Sequence, residues 1–161
     1  MTHGVERIGF TGHQGLTQQT ETLVRNEIDR VLSSDAEVVG LSSLAEGADQ
    51  IFADLILKHG GILTAVIPSE DYDSTFDEAG LIRYRRLLAM AESVIKMGNA
   101  ESNEEAFWAA GRYVVENSDR IIAVWNGKPA AGLGGTADVV DYARKLGRKV
   151  SIVWPEGSER K

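Results

Sequence analysis

The chain has 161 residues, 43% of them hydrophobic and 25% charged, which fits a single globular domain with a buried core. Cysteine is absent and the three histidines are scattered, so we expect no disulfide framework, no cysteine nucleophile and no metal site. The net charge of −7 disfavours nucleic acid as a partner, because a duplex-binding surface normally needs a basic excess.

The first ten residues, MTHGVERIGF, lack the basic and apolar regions of a signal peptide. No apolar run approaches the roughly 18 to 20 residues that a membrane span needs. We therefore expect a cytoplasmic protein that makes no membrane contact.

Short apolar runs alternate with longer amphipathic runs along the chain. Six runs are strand-like, in chain order VERIGF, EVVGLSS, GILTAVIP, SVIKM, RIIAVW and KVSIVW. Five runs have helical periodicity, over residues 17–34, 46–60, 78–92, 102–118 and 137–147. Thr17 is the predicted N-cap of the first helix, and Ser102 and Glu105 have the spacing of a capping box at the start of the fourth.

The strand-like runs are almost wholly apolar, as expected for a sheet that helices cover on both faces. With right-handed β-α-β crossovers, this order predicts an α/β fold of Rossmann-like type, with a doubly wound, mostly parallel sheet. We expect one domain over residues 1–161, with its core at about residues 5–154 and a loose tail, PEGSERK.

Small and polar residues concentrate where the strand-like runs end. In doubly wound sheets, ligands bind beyond the carboxyl ends of the strands, near the point where the strand order reverses. The candidate ligand residues at these ends are Thr11, Gly12 and His13, then Ser42, Glu46, Gly47 and Asp49, and finally Gly134, Gly135 and Thr136. Since parallel strands end at one edge of the sheet, these residues predict a binding site there.

Residues 132–138, GLGGTAD, join a strand-like run to a helical run. Glycines let backbone N–H groups approach an anion, a helix N-terminus adds a positive dipole, and Thr136 can donate its hydroxyl. The loop has no Walker lysine and does not have G-x-G-x-x-G spacing. A flexible loop with a threonine cap explains the same residues equally well.

The other candidates also have ordinary structural explanations. His13 could contact a phosphate or a base, or lie exposed in a turn. Glu46 and Asp49 could hold ribose hydroxyls or only complement a helix dipole. Arg112 could reach a phosphate or pair with an acid on its own helix, and Phe107 is expected in the core.

Four segments together resemble the SLOG superfamily, the Rossmann-like nucleotide-binding domains that include the DprA and LOG proteins. These segments are TGHQGLT, SLAEGAD, IPSEDYDSTF and ENSDRIIAVWNG…GGTADVVDYA, and the resemblance covers roughly residues 5–154. The nearest type is that of the YpsA-like and standalone bacterial SLOG proteins. The resemblance implies a nucleotide or nucleotide-derived ligand, with phosphate on residues 134–136, one wall at 11–13, and the sugar near Ser42, Glu46, Gly47 and Asp49.

LOG proteins hydrolyse the N-glycosidic bond of cytokinin riboside monophosphates, with a catalytic glutamate in P-G-G-x-G-T-x-x-E. Here the matching position is Val139, and the nearest carboxylate is Asp138, one residue and about 100° away on a helix. The family's arginine position matches Ala110, two residues from Arg112. The sequence therefore favours a nucleotide sensor or binding protein over a phosphoribohydrolase, for which Glu46, Asp138 and Arg112 are the catalytic candidates.

Two further hypotheses stay open. A DNA-handling protein like DprA is disfavoured by the acidic balance, and a ligand-free scaffold leaves the strand-end loops unexplained. The sequence implies no cofactor beyond the nucleotide ligand. Since LOG-type relatives dimerise through helices, Trp108 or the helix over residues 81–88 could supply the apolar patch of a homo-oligomer.

Overall fold

The computed structural model describes residues 4–33, 37–129 and 133–161. Its strands are β1 (Glu6–Gly12), β2 (Val38–Ser42), β3 (Ile62–Ser69), β4 (Ser93–Asn99), β5 (Arg120–Val124) and β6 (Lys149–Val153). Its α-helices are α1 (Gln18–Val31), α2 (Ala48–Lys58), α3 (Glu78–Met90), α4 (Glu104–Glu116) and α5 (Thr136–Lys145). A short 3-10 helix, Tyr72–Thr75, follows β3.

The strands form one parallel sheet in the order β4-β3-β2-β1-β5-β6. The chain builds outward from β1 to β4, then crosses through α4 and continues with β5 on the other side of β1. The strand order therefore reverses at the neighbouring pair β1 and β5. The predicted α/β fold with a doubly wound parallel sheet is confirmed.

Helices cover both faces of the sheet, and alternate residues of β1 reach the two layers. Ile8 and Phe10 pack in the layer that contains α1 and α2, where Phe10 stacks on Phe52 with ring centroids 4.6 Å apart. Gly9 faces α4, and a Cβ at this position would lie 2.7 Å from a methyl carbon of Val114. The absence of a side chain at Gly9 therefore lets α4 pack directly on the sheet.

Three of the helices, α1, α3 and α4, begin at polar capping residues, namely Thr17, Asp77 and Asn103. Thr17 caps α1, since its Oγ1 accepts the Thr20 N–H at 3.2 Å. At α4 the predicted capping box is wrong by one residue: Asn103 is the cap, and its Oδ1 accepts the Ala106 N–H at 2.8 Å. The Ser102 hydroxyl instead donates to a carboxylate in the loop after β3. No helix in the described ranges is long and apolar enough to cross a membrane.

The segment after β6 is attached to the loop between β1 and α1, so the expectation of a loose tail is wrong. Leu16 and Arg160 form an antiparallel β-bridge. The Lys161 N–H also donates to the Gly15 carbonyl at 2.6 Å. Backbone hydrogen bonds hold this segment, and such bonds cannot be predicted from its polar composition. We call residues 155–161 the strap.

Candidate ligand-binding cleft

A cleft of about 540 Å³ opens at the carboxyl ends of β1 and β5, where the strand order reverses. Its volume lies within the roughly 300–1,000 Å³ of small-molecule sites. Its walls come from the ends of β1 and β5, the starts of α4 and α5, and the strap. The cleft therefore lies where open α/β sheets bind their ligands.

The cleft brings together seven of the ten predicted ligand residues, namely Thr11, Gly12, His13, Asp49, Gly134, Gly135 and Thr136. Gly132, the first residue of the predicted phosphate loop, lies outside the described residues. Three other candidates, Ser42, Glu46 and Gly47, are absent from the described lining of the cleft. So are the catalytic candidates Asp138 and Arg112. Contact with a ligand stays a prediction for each residue that lines the cleft.

The start of α5 faces the cleft. Gly135 is the N-cap and carries no side-chain capping bond, and no side chain of a described residue accepts from the first N–H groups of the helix. Thr136, the first helical residue, is 8% exposed and lines the cleft. Unpaired N–H groups and the positive end of the helix dipole make this end of the cleft suited to an anion.

Gly134 gives the loop before α5 its shape. Its φ is +85°, a conformation that L side chains rarely adopt, and a Cβ would lie 2.9 Å from the Trp108 backbone nitrogen. The Gly134 N–H donates to Asp138 Oδ2 at 3.0 Å. Asp138 therefore holds this loop and engages the N–H predicted to bind phosphate. It is absent from the described lining of the cleft, and its catalytic role stays a prediction.

His13 joins the loops that follow β1 and β5. Its Nε2 accepts the Asn126 N–H at 3.0 Å, and its ring meets Trp154 edge-on with centroids 5.7 Å apart. Burial, followed by the positive charge of Arg160, lowers the pKa of His13 below its usual value of 6.5. The imidazole is therefore mainly neutral at pH 7, so it shapes the cleft without adding a full positive charge.

Asp49 is a buried carboxyl group in the cleft lining, with 6% exposure. The Ser42 hydroxyl donates to Asp49 Oδ2 at 3.2 Å, and the backbone N–H groups of Ser43 and Ala45 also stabilise the carboxylate. Burial outweighs these hydrogen bonds and raises the pKa of Asp49 to about 7. Both protonation states are therefore populated near neutral pH, which suits hydrogen bonding to hydroxyls and proton transfer.

Glu46 and Gly47 shape the neighbouring loops and are absent from the described lining of the cleft, so their place on the sugar side stays a prediction. Glu46 Oε1 accepts the Asp77 N–H at 2.8 Å, just before α3. Gly47 has a φ of +86°, and a Cβ there would lie 3.0 Å from the His13 carbonyl oxygen. This close approach lets the Ala48 N–H donate to the same carbonyl at 3.3 Å.

Arg112 and Phe107, both on α4, have surroundings that differ from those the sequence suggested. Arg112 is exposed and absent from the described lining of the cleft, with its guanidinium carbon 5.8 Å from the Trp108 ring centroid. Its catalytic role stays a prediction. Phe107, expected in the core, is 37% exposed and lines the cleft, with its ring 6.2 Å from that of Tyr72. The reason is helix geometry, since the side of α4 that carries Phe107 and Gly111 faces the cleft.

Sequence reasoning missed several polar members of the lining, namely Gln14, Glu104, Lys128 and Arg160. Asn126 also lines the cleft and follows a strand-like run, and the rule that located such loops could have found Lys128 two residues later. Arg160 has no such signal, because only the attachment of the strap brings it to the cleft.

No family model and no curated protein matches this sequence. Solved structures do match its fold. DprA from Streptococcus pneumoniae superimposes with a TM-score of 0.72 at 19% identity, over 95% of this chain and 52% of that chain. DprA from Helicobacter pylori gives 0.67 at 16% identity, over 97% and 68%. The molybdenum cofactor carrier protein from Chlamydomonas reinhardtii gives 0.57 at 16% identity, over 92% and 76%.

At these identities the likeness concerns the fold alone, and that fold is shared with DprA, one of the proteins that the sequence motifs resemble. The chain spans about half the length of the pneumococcal DprA. The Helicobacter pylori structure concerns a single-stranded DNA binding mode of that DprA. The expectation that nucleic acid is a disfavoured partner is therefore wrong, because the net charge of a whole chain does not report the local charge of one surface.

Proposed function

We propose that the chain binds a phosphorylated nucleotide or nucleotide derivative in the cleft, as a sensor or binding protein. The observation that carries this proposal is the uncapped N-terminus of α5, with Gly135 and Thr136, opening into the cleft beside β1 and β5. The N–H groups there are fixed donors, so they bind an anion without first being ordered.

The rest of the cleft has the chemistry of a nucleoside site. Asp49 can accept hydrogen bonds from ribose hydroxyls, and its buried position sets the direction of that contact. Phe107 offers a partly exposed aromatic ring beside Tyr72, on which a base can stack. Phosphate, sugar and base would each find a suitable surface within this one volume.

A thermal-shift panel tests this proposal. It contains four nucleosides, their 5′-monophosphates and diphosphates, and a single-stranded oligodeoxynucleotide, included because of the DprA fold. A ligand that binds only the folded state raises the melting temperature by mass action. We expect shifts that require the phosphate group. Equal shifts from a nucleoside and its monophosphate, or no shift at millimolar concentration, would contradict the phosphate site.

A second candidate function is hydrolysis of a nucleoside 5′-monophosphate to free base and ribose 5-phosphate. The specific observation that favours it is Asp49, a buried carboxyl group in the cleft lining whose pKa burial raises to about 7. Water would add to C1′ as the C1′–N bond breaks, and Asp49 would transfer the proton that the leaving base requires.

Chromatography of the free base separates hydrolysis from binding. Asp49→Asn and Glu46→Gln both convert a carboxyl group to an amide, but only Asp49 lines the cleft. If the chain is a hydrolase, base release is lost in Asp49→Asn and retained in Glu46→Gln. The reverse pattern would contradict the role of Asp49. Absence of base release from every monophosphate leaves binding as the function.

A further inference from the structure

The strap is fixed against the loop that carries His13 and Gln14. The Thr17 N–H donates to the Glu159 carbonyl at 3.3 Å, and the Glu159 N–H donates to Thr20 Oγ1 at 2.6 Å. With the β-bridge described above, hydrogen bonds hold the backbone on both sides of Arg160. The position of this residue is therefore set by the fold and not by its own long side chain.

Arg160 is part of the cleft lining, and its guanidinium has N–H groups available for a ligand. Its Nη2 donates to the Gln14 carbonyl at 3.3 Å, which uses one of five N–H groups. Among the ion pairs between described residues, none involves Arg160. Its charge also reaches the neighbouring imidazole of His13, whose pKa it lowers.

This charge matters because the residues predicted to bind phosphate, Gly134, Gly135 and Thr136, carry no charge of their own. The segment 132–138 that leads into α5 has no lysine, and His13 is mainly neutral at pH 7. Lys128 and Arg160 are the lysine and arginine in the described lining, which also contains the acids Asp49 and Glu104. Either cation could add a charge-assisted contact to a phosphate held by the N–H groups of α5, and only Arg160 can offer the bidentate fork that matches phosphate oxygens.

We propose that the strap completes the ligand cleft and that Arg160 is a binding residue for the phosphate group of the ligand. This inference rests on the proposed nucleotide function and adds a specificity to it. Ligands with a phosphate at the α5 end gain a charge-assisted contact from Arg160, and unphosphorylated nucleosides do not. The strap thereby links recognition of the phosphate to a segment that lies outside the sheet and its helices.

Isothermal titration of adenosine and ADP into four proteins tests this inference. The proteins are the wild type, Arg160→Gln, Arg160→Lys and the control Arg144→Gln, which removes the same charge at the far end of α5. We expect Arg160→Gln to weaken ADP binding about 10- to 100-fold and to leave adenosine binding unchanged. Arg160→Lys should recover part of the loss, and Arg144→Gln should match the wild type.

Two results would overturn the role of Arg160 alone. One is a wild-type preference for ADP over adenosine that Arg160→Gln retains. The other is an equal loss for both ligands in Arg160→Gln, which would mean that the residue only holds the strap. A wild type that binds neither ligand, or both equally, overturns the proposed phosphate site itself and this inference with it. Unfolding midpoints of all four proteins show whether each variant is folded.

Discussion

The two halves of the carboxyl edge of the sheet have similar compositions and different uses. Near β1 and β5, Thr11, Thr136 and the N-terminus of α5 face an open cleft. Near β2 and β3, polar side chains bond to their neighbours: Glu46 accepts an N–H beside α3, and the Gln50 side chain links two loops and accepts from Arg83. Polar residues at strand ends are thus available to a ligand in one half and satisfied internally in the other.

The path of the chain explains this difference. From β1 to β4, successive helices pack side by side on one face, so α2 and α3 meet and their loops hydrogen-bond to each other. Between β1 and β5, the chain has crossed to the other face, and the loops diverge on either side of the sheet. The diverging loops therefore leave a cleft where the strand order reverses. The amino-acid composition alone does not distinguish the two halves of the edge.

The largest effect is expected from Asp49, the acid in the first turn of α2 that is buried in the cleft lining. Its pKa rises from the usual 3.8 to about 7, so the folded protein binds the proton more tightly than the unfolded chain. Stability from this residue is full at low pH and is lost as the pH rises from about 4 to about 7. We expect the wild type to lose on the order of 3–4 kcal/mol more than Asp49→Asn over this range.

Urea unfolding at a series of pH values measures this difference between the wild type and Asp49→Asn. The slope with pH is the informative quantity, because the amide also weakens the hydrogen bonds from Ser42 and the backbone at every pH. Parallel pH profiles for the two proteins would mean that Asp49 titrates normally in the fold.

A smaller effect is expected from Gly134→Ala, which tests the backbone of the open half. The new Cβ would have an unfavourable φ of +85° and would lie 2.9 Å from a backbone nitrogen of α4. We expect a loss of about 2–3 kcal/mol in the free energy of unfolding, together with weaker phosphate binding.

Gly147→Ala is the matched control, because Gly147 has a φ of +74° but open space around its Cβ position. It should cost only the backbone strain, about 1 kcal/mol. Equal losses in denaturant unfolding of the two variants would show that the contact between Gly134 and α4 has no energetic consequence.

Glu46→Ala tests the satisfied half of the edge. It removes the acceptor of the Asp77 N–H, a hydrogen bond at an exposed position, so we expect a loss of about 1 kcal/mol in unfolding free energy. Ligand affinity should not change, because Glu46 lies outside the described lining of the cleft. A variant with normal stability and lost binding would reverse the contrast between the two halves.

The smallest effect is expected from Arg112→Gln. The side chain is exposed, and its contact with the Trp108 ring is worth about 0.5 kcal/mol at such a position. Binding of nucleotides should match the wild type within error in a calorimetric titration. A tenfold loss of affinity would bring back the catalytic or phosphate role that the sequence suggested for this arginine.

Much of the fold could be predicted from the sequence because its signals are local. Apolar runs of strand length, a threonine before the first helix and glycines after helices all act within a few residues. The N-cap of α4 was predicted one residue too early because Ser102 is as good a capping residue as Asn103. What decides between them is the contact of Ser102 with the loop after β3.

The site was predicted as a region more accurately than as a set of side chains. Thr11, Gly12 and Thr136 line the cleft because the ends of β1 and the start of α5 meet there by topology. The partner of a carboxylate cannot be read from its own position, as Glu46 and Asp138 show with their bonds to backbone N–H groups. Arg160 was missed because its place depends on a tertiary contact of the strap.

The most direct test of the phosphate site is calorimetric titration of ADP into Gly135→Asp, with Gly135→Asn as the uncharged control. Gly135 has φ −71° and ψ 174°, a conformation in which both Asp and Asn are good N-caps. The aspartate would place its own negative charge on the first N–H groups of α5. We predict an unfolding midpoint equal to or above the wild type and an ADP affinity at least about 100-fold weaker, with a smaller loss in Gly135→Asn. A folded Gly135→Asp that binds ADP as the wild type does would contradict phosphate binding at the start of α5.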